Sequence, residues 1–385
     1  MLNLDFVCKK DRLRLQQAAN RHFFSKKTLN VLRFENATVA PGWAGGVWLE
    51  NQTHLPQTWI HWRCDKPQKN PPESLRWWLD ERQKTPPEIA QTSDESVVFV
   101  GLFSAVWGHE ITDHLKHFWF YFDKRFAHLT NLPFVFAMLW ENKMPSDNFF
   151  QLLNTIGIPK EKLRFISRPT QFKEIYIPDE CFFYDPKECA CRYTQEYANF
   201  FNKIKYPPPP PESMNKIYFS RLSFSKQKNQ KDFNEESLEQ FFLKQGFKII
   251  HPETLPLLEQ IAYLKNAKVF ATTDGSIAHN LLFCNDGIQT IICRKSHHFA
   301  IHQMPLNYLK KAQVIYIDCG FSPRENFKKE WWTGPFFLYV SNDLRRFFKL
   351  PWQAFPFLQF FKFLFQWKRK WFSWEYLKNK YLRFK

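Results

Sequence analysis

Two segments place chemically versatile side chains at spacings that matter. In Trp107-Gly108-His109-Glu110-Ile111-Thr112-Asp113, His109 and Asp113 stand four residues apart, which puts both on one face of a helix. An imidazole beside a carboxylate can take a proton from a hydroxyl at neutral pH. A His-rich helix start, here with His114 and His117 following, serves more often for capping and surface hydrogen bonds than for catalysis. In Ala271-Thr272-Thr273-Asp274-Gly275-Ser276, a strand runs through a glycine turn into a segment that carries Asn280. Free amides and the positive end of a helix dipole hold phosphate at such a turn, with Gly275 permitting close approach and Ser276 capping the helix. As a bare pattern it is also an ordinary strand-to-helix connection of α/β proteins.

Lys216-Ile217-Tyr218-Phe219-Ser220-Arg221 ends another apolar strand with Ser220 and Arg221 at its rim. An arginine there can grip a diphosphate through two parallel N–H bonds, or simply pair with a surface carboxylate. Lys226 and Lys228 follow in a polar loop, and Glu259-Gln260 on a later helix can meet ribose hydroxyls, or Glu259 is simply exposed. There is no Asp-x-Asp poised to hold a divalent ion, so no metal and no resident cofactor are expected. Neither G-x-G-x-x-G nor a Walker loop occurs, which counts against nucleotide-dependent methyl or phosphoryl transfer.

These residues need a frame, and apolar periodicity supplies one. Before residue 207 the pattern predicts a strand over 97–103, a helix over 109–126, a strand over 134–139 and a capped helix over 146–156. Pro207 to Pro211 form a stiff spacer that neither a helix nor a central strand tolerates. After it, strands at 216–220, 247–250, 268–272, 289–293 and 313–318 alternate with helices at 235–245, 257–266 and from 276 through 283. Alternation of this kind predicts an α/β fold with doubly wound parallel sheets whose ligands lie at the carboxyl ends of the strands. The expected domains are 1–206, a linker at 207–213, a second domain at 214–320 and an extension at 321–385.

That extension mixes aromatic residues with Lys362, Lys368, Arg369, Lys370, Lys378, Lys380, Arg383 and Lys385, opposed only by Glu375 after Pro351. Lys362 and Gln366 interrupt the apolar run well short of the roughly 18 to 20 residues a spanning helix needs, so helices lying on an anionic membrane surface are expected. The whole chain of 385 residues carries a formal charge of +17, with 43 Phe and 15 Trp. Such a balance requires an anionic partner: a membrane, a phosphorylated substrate or nucleic acid. Without a recognisable nucleic-acid module, nucleic acid is the alternative rather than the expectation. The scattered cysteines and the Asp5-interrupted N-terminus point to a reduced, cytoplasmic setting.

Taken in order, K-I-Y-F-S-R at 216–221, Asn234-Glu235, G-F-K-I-I-H-P-E at 246–253, L-x-x-x-E-Q-I at 255–261 and D-G-S-x-x-x-N-L-L-F at 274–283 resemble glycosyltransferase family 61. The resemblance extends over about residues 97 to 319. It implies a GT-B fold of two Rossmann-like domains facing a cleft and inverting transfer. The nucleotide-sugar donor would be held by Ser220, Arg221, Glu259, Asp274, Gly275, Ser276 and Asn280, and the glycan or glycolipid acceptor by the N-terminal domain. By the same resemblance the His109 segment starts a cleft-facing helix, with His109 as general base and Asp113 orienting it. The bacterial members imply a lipopolysaccharide or capsule acceptor, and a chain peripherally associated with the cytoplasmic side of the inner membrane. Where the family usually has His-Gly-Ala, this chain has Asp274-Gly275-Ser276, which implies a changed donor preference or a degraded site.

Overall fold

A computed structural model describes residues 2–42, 45–55, 58, 85–140, 143–185, 190–208, 215–223, 231–297, 302–322 and 334–371, without the side chains of 368–371. Lys226, Lys228, most of the proline spacer and the basic residues after 371 lie outside the described residues. The chain forms two compact units, one of Gln17–Pro208 with Ile301–Lys310, the other of Met1–Gln16 with Pro209–Ala300 and Lys311–Lys385.

The chain begins with β1 (Leu2–Phe6) and α1 (Lys9–Ala19). Next come β2 (Val31–Ala40), β3 (Gly46–Trp48), β4 (His54–Leu55), β5 (Gln91–Phe103), β6 (Phe134–Met138), β7 (Leu163–Ile166) and β8 (Thr170–Pro178). Strands β2 to β8 build one seven-stranded sheet in the order β4-β3-β2-β8-β5-β6-β7. From Val97 to Phe103 every residue of β5 is buried, as an unbroken apolar run requires when both faces of a strand are covered. Only β8, β5, β6 and β7 run parallel, whereas β2, β3 and β4 pair antiparallel. The expectation of a doubly wound sheet here is therefore corrected to a mixed one, because residues 31–55 return as adjacent antiparallel strands without crossover helices.

The predicted helix over 109–126 is also corrected. Helix α2 spans Trp107–Ile111, and two 3-10 segments, Phe118–Phe122 and Lys124–Asn131, follow its turn. Leu115, Phe118, Trp119 and Phe120 are all buried, so this stretch has no solvent face on which a long amphipathic helix could rest. The capped helix does form as α3 (Asp147–Thr155), with Ser146 accepting from the Phe149 N–H. The hairpin β9 (Phe182–Asp185) and β10 (Ala190–Tyr193) and helix α4 (Gln195–Asn202) complete this part of the chain.

The other unit continues with β11 (Lys216–Phe219), β12 (Asp232–Phe233), α5 (Glu235–Lys244), β13 (Lys248–Ile250), α6 (Leu257–Asn266), β14 (Val269–Thr273) and β15 (Gln289–Arg294). Helix α7 (Gln303–Leu309) belongs to the first unit, after which β16 (Gln313–Asp318), β17 (Gly320–Phe321), β18 (Phe336–Leu338), α8 (Asn342–Phe347) and α9 (Phe357–Trp371) follow. A six-stranded sheet runs β1-β16-β15-β14-β11-β13, parallel throughout. In chain order after β1, its strands lie 2-1-3-4-5 across the sheet, so the winding reverses between β11 and β14. Crossover helices leave in opposite directions at such a point and open a crevice at the carboxyl ends of the two strands.

Two boundaries shift. Residues 1–16, expected in the N-terminal domain, belong to this unit because β1 pairs with β16 and covers an edge that would otherwise stay open. The segment after 320, expected as a separate extension, supplies β17 and β18, while Leu344 of α8 joins the core with Tyr218, Leu238 and Phe242. No helix among the described residues is long and apolar enough to cross a membrane.

Candidate functional site

In the parallel-sheet unit the chemistry gathers where the winding reverses. Ser220 and Arg221 follow β11, and Asp274-Gly275-Ser276 follow β14. Ser220 is fully buried, and its hydroxyl accepts from the Leu222 N–H at 3.0 Å, which shapes the turn that carries Arg221 outward. Gly275 has φ +111°, a conformation that L side chains rarely adopt. A Cβ built on it would lie 3.9 Å from both Arg221 Nη1 and Lys295 Nζ, so two cations converge on this glycine. The Ser276 hydroxyl makes no hydrogen bond among the described residues. Its expected capping role is corrected, because Gly275 holds the cap position and Ser276 begins a 3-10 segment, Ser276–Phe283, in place of the expected α-helix. Asn280 is buried in that segment. Glu259, half-buried on α6, is not brought to these groups by any hydrogen bond among the described residues.

Three residues that are not among the expected site residues complete the cluster. Lys295, at the carboxyl end of β15, is buried and sets its ammonium 3.3 Å from Asp232 Oδ1 and over the Phe336 ring. Arg221 Nε lies 4.0 Å from Asp232 Oδ2. Burial works against ionisation of Asp232, but Lys295 and Arg221 together hold its pKa below the ordinary value. Glu235, at the start of α5, accepts the Arg221 backbone N–H at 2.9 Å and the Tyr218 hydroxyl at 3.3 Å. Burial, reinforced by Asp232, pushes the Glu235 carboxyl up to about 7. Asp274 accepts the Lys295 N–H at 3.3 Å, and burial raises it to about 6 although Lys295 and Arg294 oppose the shift. The rim thus presents arginine and lysine cations, a permissive glycine and a hydroxyl donor, with two carboxyls whose charge is easily withdrawn. That is chemistry suited to a diphosphate.

Further along the same edge Arg294 is buried between Asp11 Oδ2 at 2.5 Å and Asp318 Oδ1 at 2.6 Å. Cys8, Asp11 and His297 bring one ligand atom each within 4.8 Å of one another, the one grouping of metal-ligand type among the described residues. Asp11 is already engaged by Arg294 and by His297 Nδ1 at 2.7 Å, so an ion-pair network accounts for the arrangement.

In the mixed-sheet unit His109 and Asp113 meet as their spacing predicts, through His109 Nδ1 and Asp113 Oδ2, although Asp113 lies beyond the end of α2. Asp113 is 1% exposed, whereas the His109 side chain is 21% exposed. Burial opposes the charge on Asp113, yet the His109 bond and the nearby His302 and Lys116 hold it far below the usual carboxylate range. His302 is contributed by the 302–310 segment, and its ring centre lies 6.2 Å from that of His109. Burial works to lower the His302 pKa, but Cys191 and Asp113 bring it above the ordinary imidazole value. Glu110 anchors α2 by accepting from the Ser146 hydroxyl at 2.6 Å, and burial raises its pKa. His114 and His117 are interior groups. The Ser104 N–H donates to His114 Nε2 at 3.0 Å, and burial lowers His114 to about 3. His117 Nδ1 bonds the Pro178 carbonyl at 2.8 Å.

The arrangement amounts to an oriented, partly exposed imidazole on one unit and a cationic, glycine-opened rim on the other. A family model described as glycosyltransferase 61 matches residues 107–293, from the first residue of α2 through β15, and so takes in both His109-Asp113 and the Arg221-Gly275 rim. No curated protein matches the chain significantly. Residues 107–293, just under half of the chain, are thus similar to glycosyltransferase family 61.

Proposed function

We propose that this glycosyltransferase moves a hexosyl, pentosyl or N-acetylhexosaminyl group from a nucleotide sugar to a hydroxyl of a bacterial surface glycan, lipopolysaccharide or capsule, with inversion at the anomeric carbon. The observation that carries this reading is the convergence of Arg221 Nη1 and Lys295 Nζ on Gly275, at the strand reversal where an α/β sheet binds its ligands. The donor diphosphate fits this rim, with Ser276 as a hydrogen-bond donor and the N–H groups of the segment it begins turned toward negative charge. The acceptor oxygen attacks the anomeric carbon as the bond from that carbon to the diphosphate oxygen breaks, and the bonding pair leaves on the phosphate. The acceptor proton passes to His109 Nε2, with Asp113 fixing the ring through Nδ1 and stabilising the imidazolium. Arg221 and Lys295 offset the leaving-group charge without a metal.

An acceptor built on lipid makes the cytoplasmic face of the inner membrane the place of work. The partners in this reading are a donor, a glycan and that surface, not nucleic acid. The test is a panel of nucleotide sugars with a lipopolysaccharide extract or a soluble oligosaccharide fragment of it, following nucleotide release and the anomeric configuration of the product. One donor is expected to support acceptor-dependent release without added metal and in the presence of chelator. His109→Ala is expected to lower turnover at least a hundredfold, within the range that positioned proton transfer supplies, roughly 10² to 10⁴. No release from any donor by folded protein would remove the enzymatic reading, and activity that requires manganese would remove the metal-free step.

A further inference from the structure

Helix α9 has two apolar faces, and among the described residues only one of them is packed against the rest of the protein. Phe363 is 2% exposed and packs on Phe233 and Phe337, with ring centres 5.0 and 5.3 Å away. Phe360, Leu364 and Trp367 lie against the same cluster. At about 100° per residue, these four occupy one sector of the helix. Phe357, Leu358, Phe361 and Phe365 fall in a neighbouring sector roughly as wide, and they are 60%, 66%, 62% and 70% exposed. Trp352, just before the helix, is 74% exposed. Lys362 and Gln366 form the polar strip that borders this second face. Single exposed apolar residues need no explanation, but a contiguous aromatic stripe marks a surface that something covers.

We infer that the stripe Phe357, Leu358, Phe361 and Phe365, with Trp352, docks the protein on an anionic lipid surface. The helix has 15 residues, about 22 Å at ~1.5 Å per residue, against a hydrocarbon core of roughly 30 Å, so it lies along the surface. Charge selects lipid over a second copy of the chain. Between 351 and 385 the sequence has eight Lys and Arg residues against Glu375 alone, in a chain of net charge +17. A second copy would bring the same net positive charge, whereas anionic headgroups neutralise it while the rings enter the acyl boundary. The inference deepens the functional reading by naming the surface on which the acceptor is met, and it rests on that reading only for the purpose of docking.

The experiment is flotation of the full chain with vesicles of phosphatidylcholine alone or mixed with phosphatidylglycerol, alongside transfer to a soluble acceptor fragment. Wild-type protein is expected to float with the mixed vesicles. The double variant Phe361→Ser, Phe365→Ser is expected to lose at least tenfold in partitioning, with its near-ultraviolet dichroism and soluble-acceptor transfer unchanged. Lys362→Glu is expected to weaken binding to the mixed vesicles, and Leu243→Ser, which removes an exposed leucine on α5, to leave it intact. Failure of the wild type to float, undiminished flotation of the double variant, or a dimer that the double variant dissolves would each overturn the inference. Flotation without transfer would overturn the functional reading and leave the docking face standing.

Discussion

Asp274 sits where a diphosphate reading least expects an acid, and its raised pKa makes its charge conditional. With its carboxyl raised to about 6, the group is anionic at pH 7.5 and neutral at pH 5, while a nucleotide sugar's diphosphate diester stays ionised throughout. Donor binding is therefore expected to tighten as pH falls through 6. Asp274→Asn should remove that step and bind roughly tenfold more tightly at pH 7.5, about 1.4 kcal/mol, as read by titration calorimetry; a flat wild-type profile from pH 5 to 8 would count against it. Glu235 gives the matching stability prediction. A carboxyl raised to about 7 favours the protonated folded form, so its contribution is full below the ordinary carboxylate pKa and is lost as pH rises toward 7. Glu235→Gln keeps an acceptor for Arg221 N–H and should flatten the decline in urea midpoint between pH 5 and 8. The His109-Asp113 pair was legible because four-residue spacing brings such groups together even where the helix ends between them. Asp232 and Lys295 were not, since Asp232 opens β12 of a small three-stranded sheet, Lys295 follows β15 of the six-stranded one, and only tertiary packing makes them neighbours.

At the scale of elements, two glycines with positive φ make different demands. Gly246, at φ +78°, ends α5 where a Cβ would meet nothing within 4 Å, so Gly246→Ala should cost only the backbone penalty of about 1 kcal/mol. Gly101, at φ +120°, lies where β5 shifts register against β6, and a Cβ there would stand 3.4 Å from His117 Cδ2. Gly101→Ala adds crowding to strain inside the sheet and should cost about 2 kcal/mol or more by urea denaturation. Equal losses for the two substitutions would contradict this account. The end of α5 could be read from Gly246 because a helix stop is a local signal. The segment after Gly275 could not, because Ile277 to Phe283 are buried without exception. A stretch buried on every side has no periodicity to separate an α-helix from the 3-10 segment that forms.

For the molecule as a whole, the first residues finish what the last strands of the parallel sheet begin. Strand β1 supplies the edge partner of β16, and α1 brings Asp11 onto Arg294, whose side chain is 1% exposed. No local pattern in the sequence announces a pairing between strands as far apart in the chain as β1 and β16, which is why residues 1–16 read as part of the other domain. The energetic consequence is large, because removing one partner from a buried ion pair leaves the other charge desolvated, at a cost of about 3 to 5 kcal/mol. Asp318 remains against Arg294 at 2.6 Å and carries part of the compensation. Asp11→Ala in the full chain should therefore fall at the lower end of that range in urea denaturation, whereas Arg14→Ala, 3.9 Å from Asp11 and largely solvated, should stay within about 0.5 kcal/mol of wild type. Burial opposes ionisation of Asp11, but Arg294 and His297 hold its pKa below the ordinary value. Its contribution is accordingly present above the ordinary carboxylate pKa and disappears as pH falls through the lowered one. The gap between wild type and Asp11→Ala should close in acid, and a gap that stayed constant down to about pH 2, below the ordinary carboxylate range, would mean that packing of β1 and α1, not the Asp11-Arg294 pair, ties the first residues to the sheet.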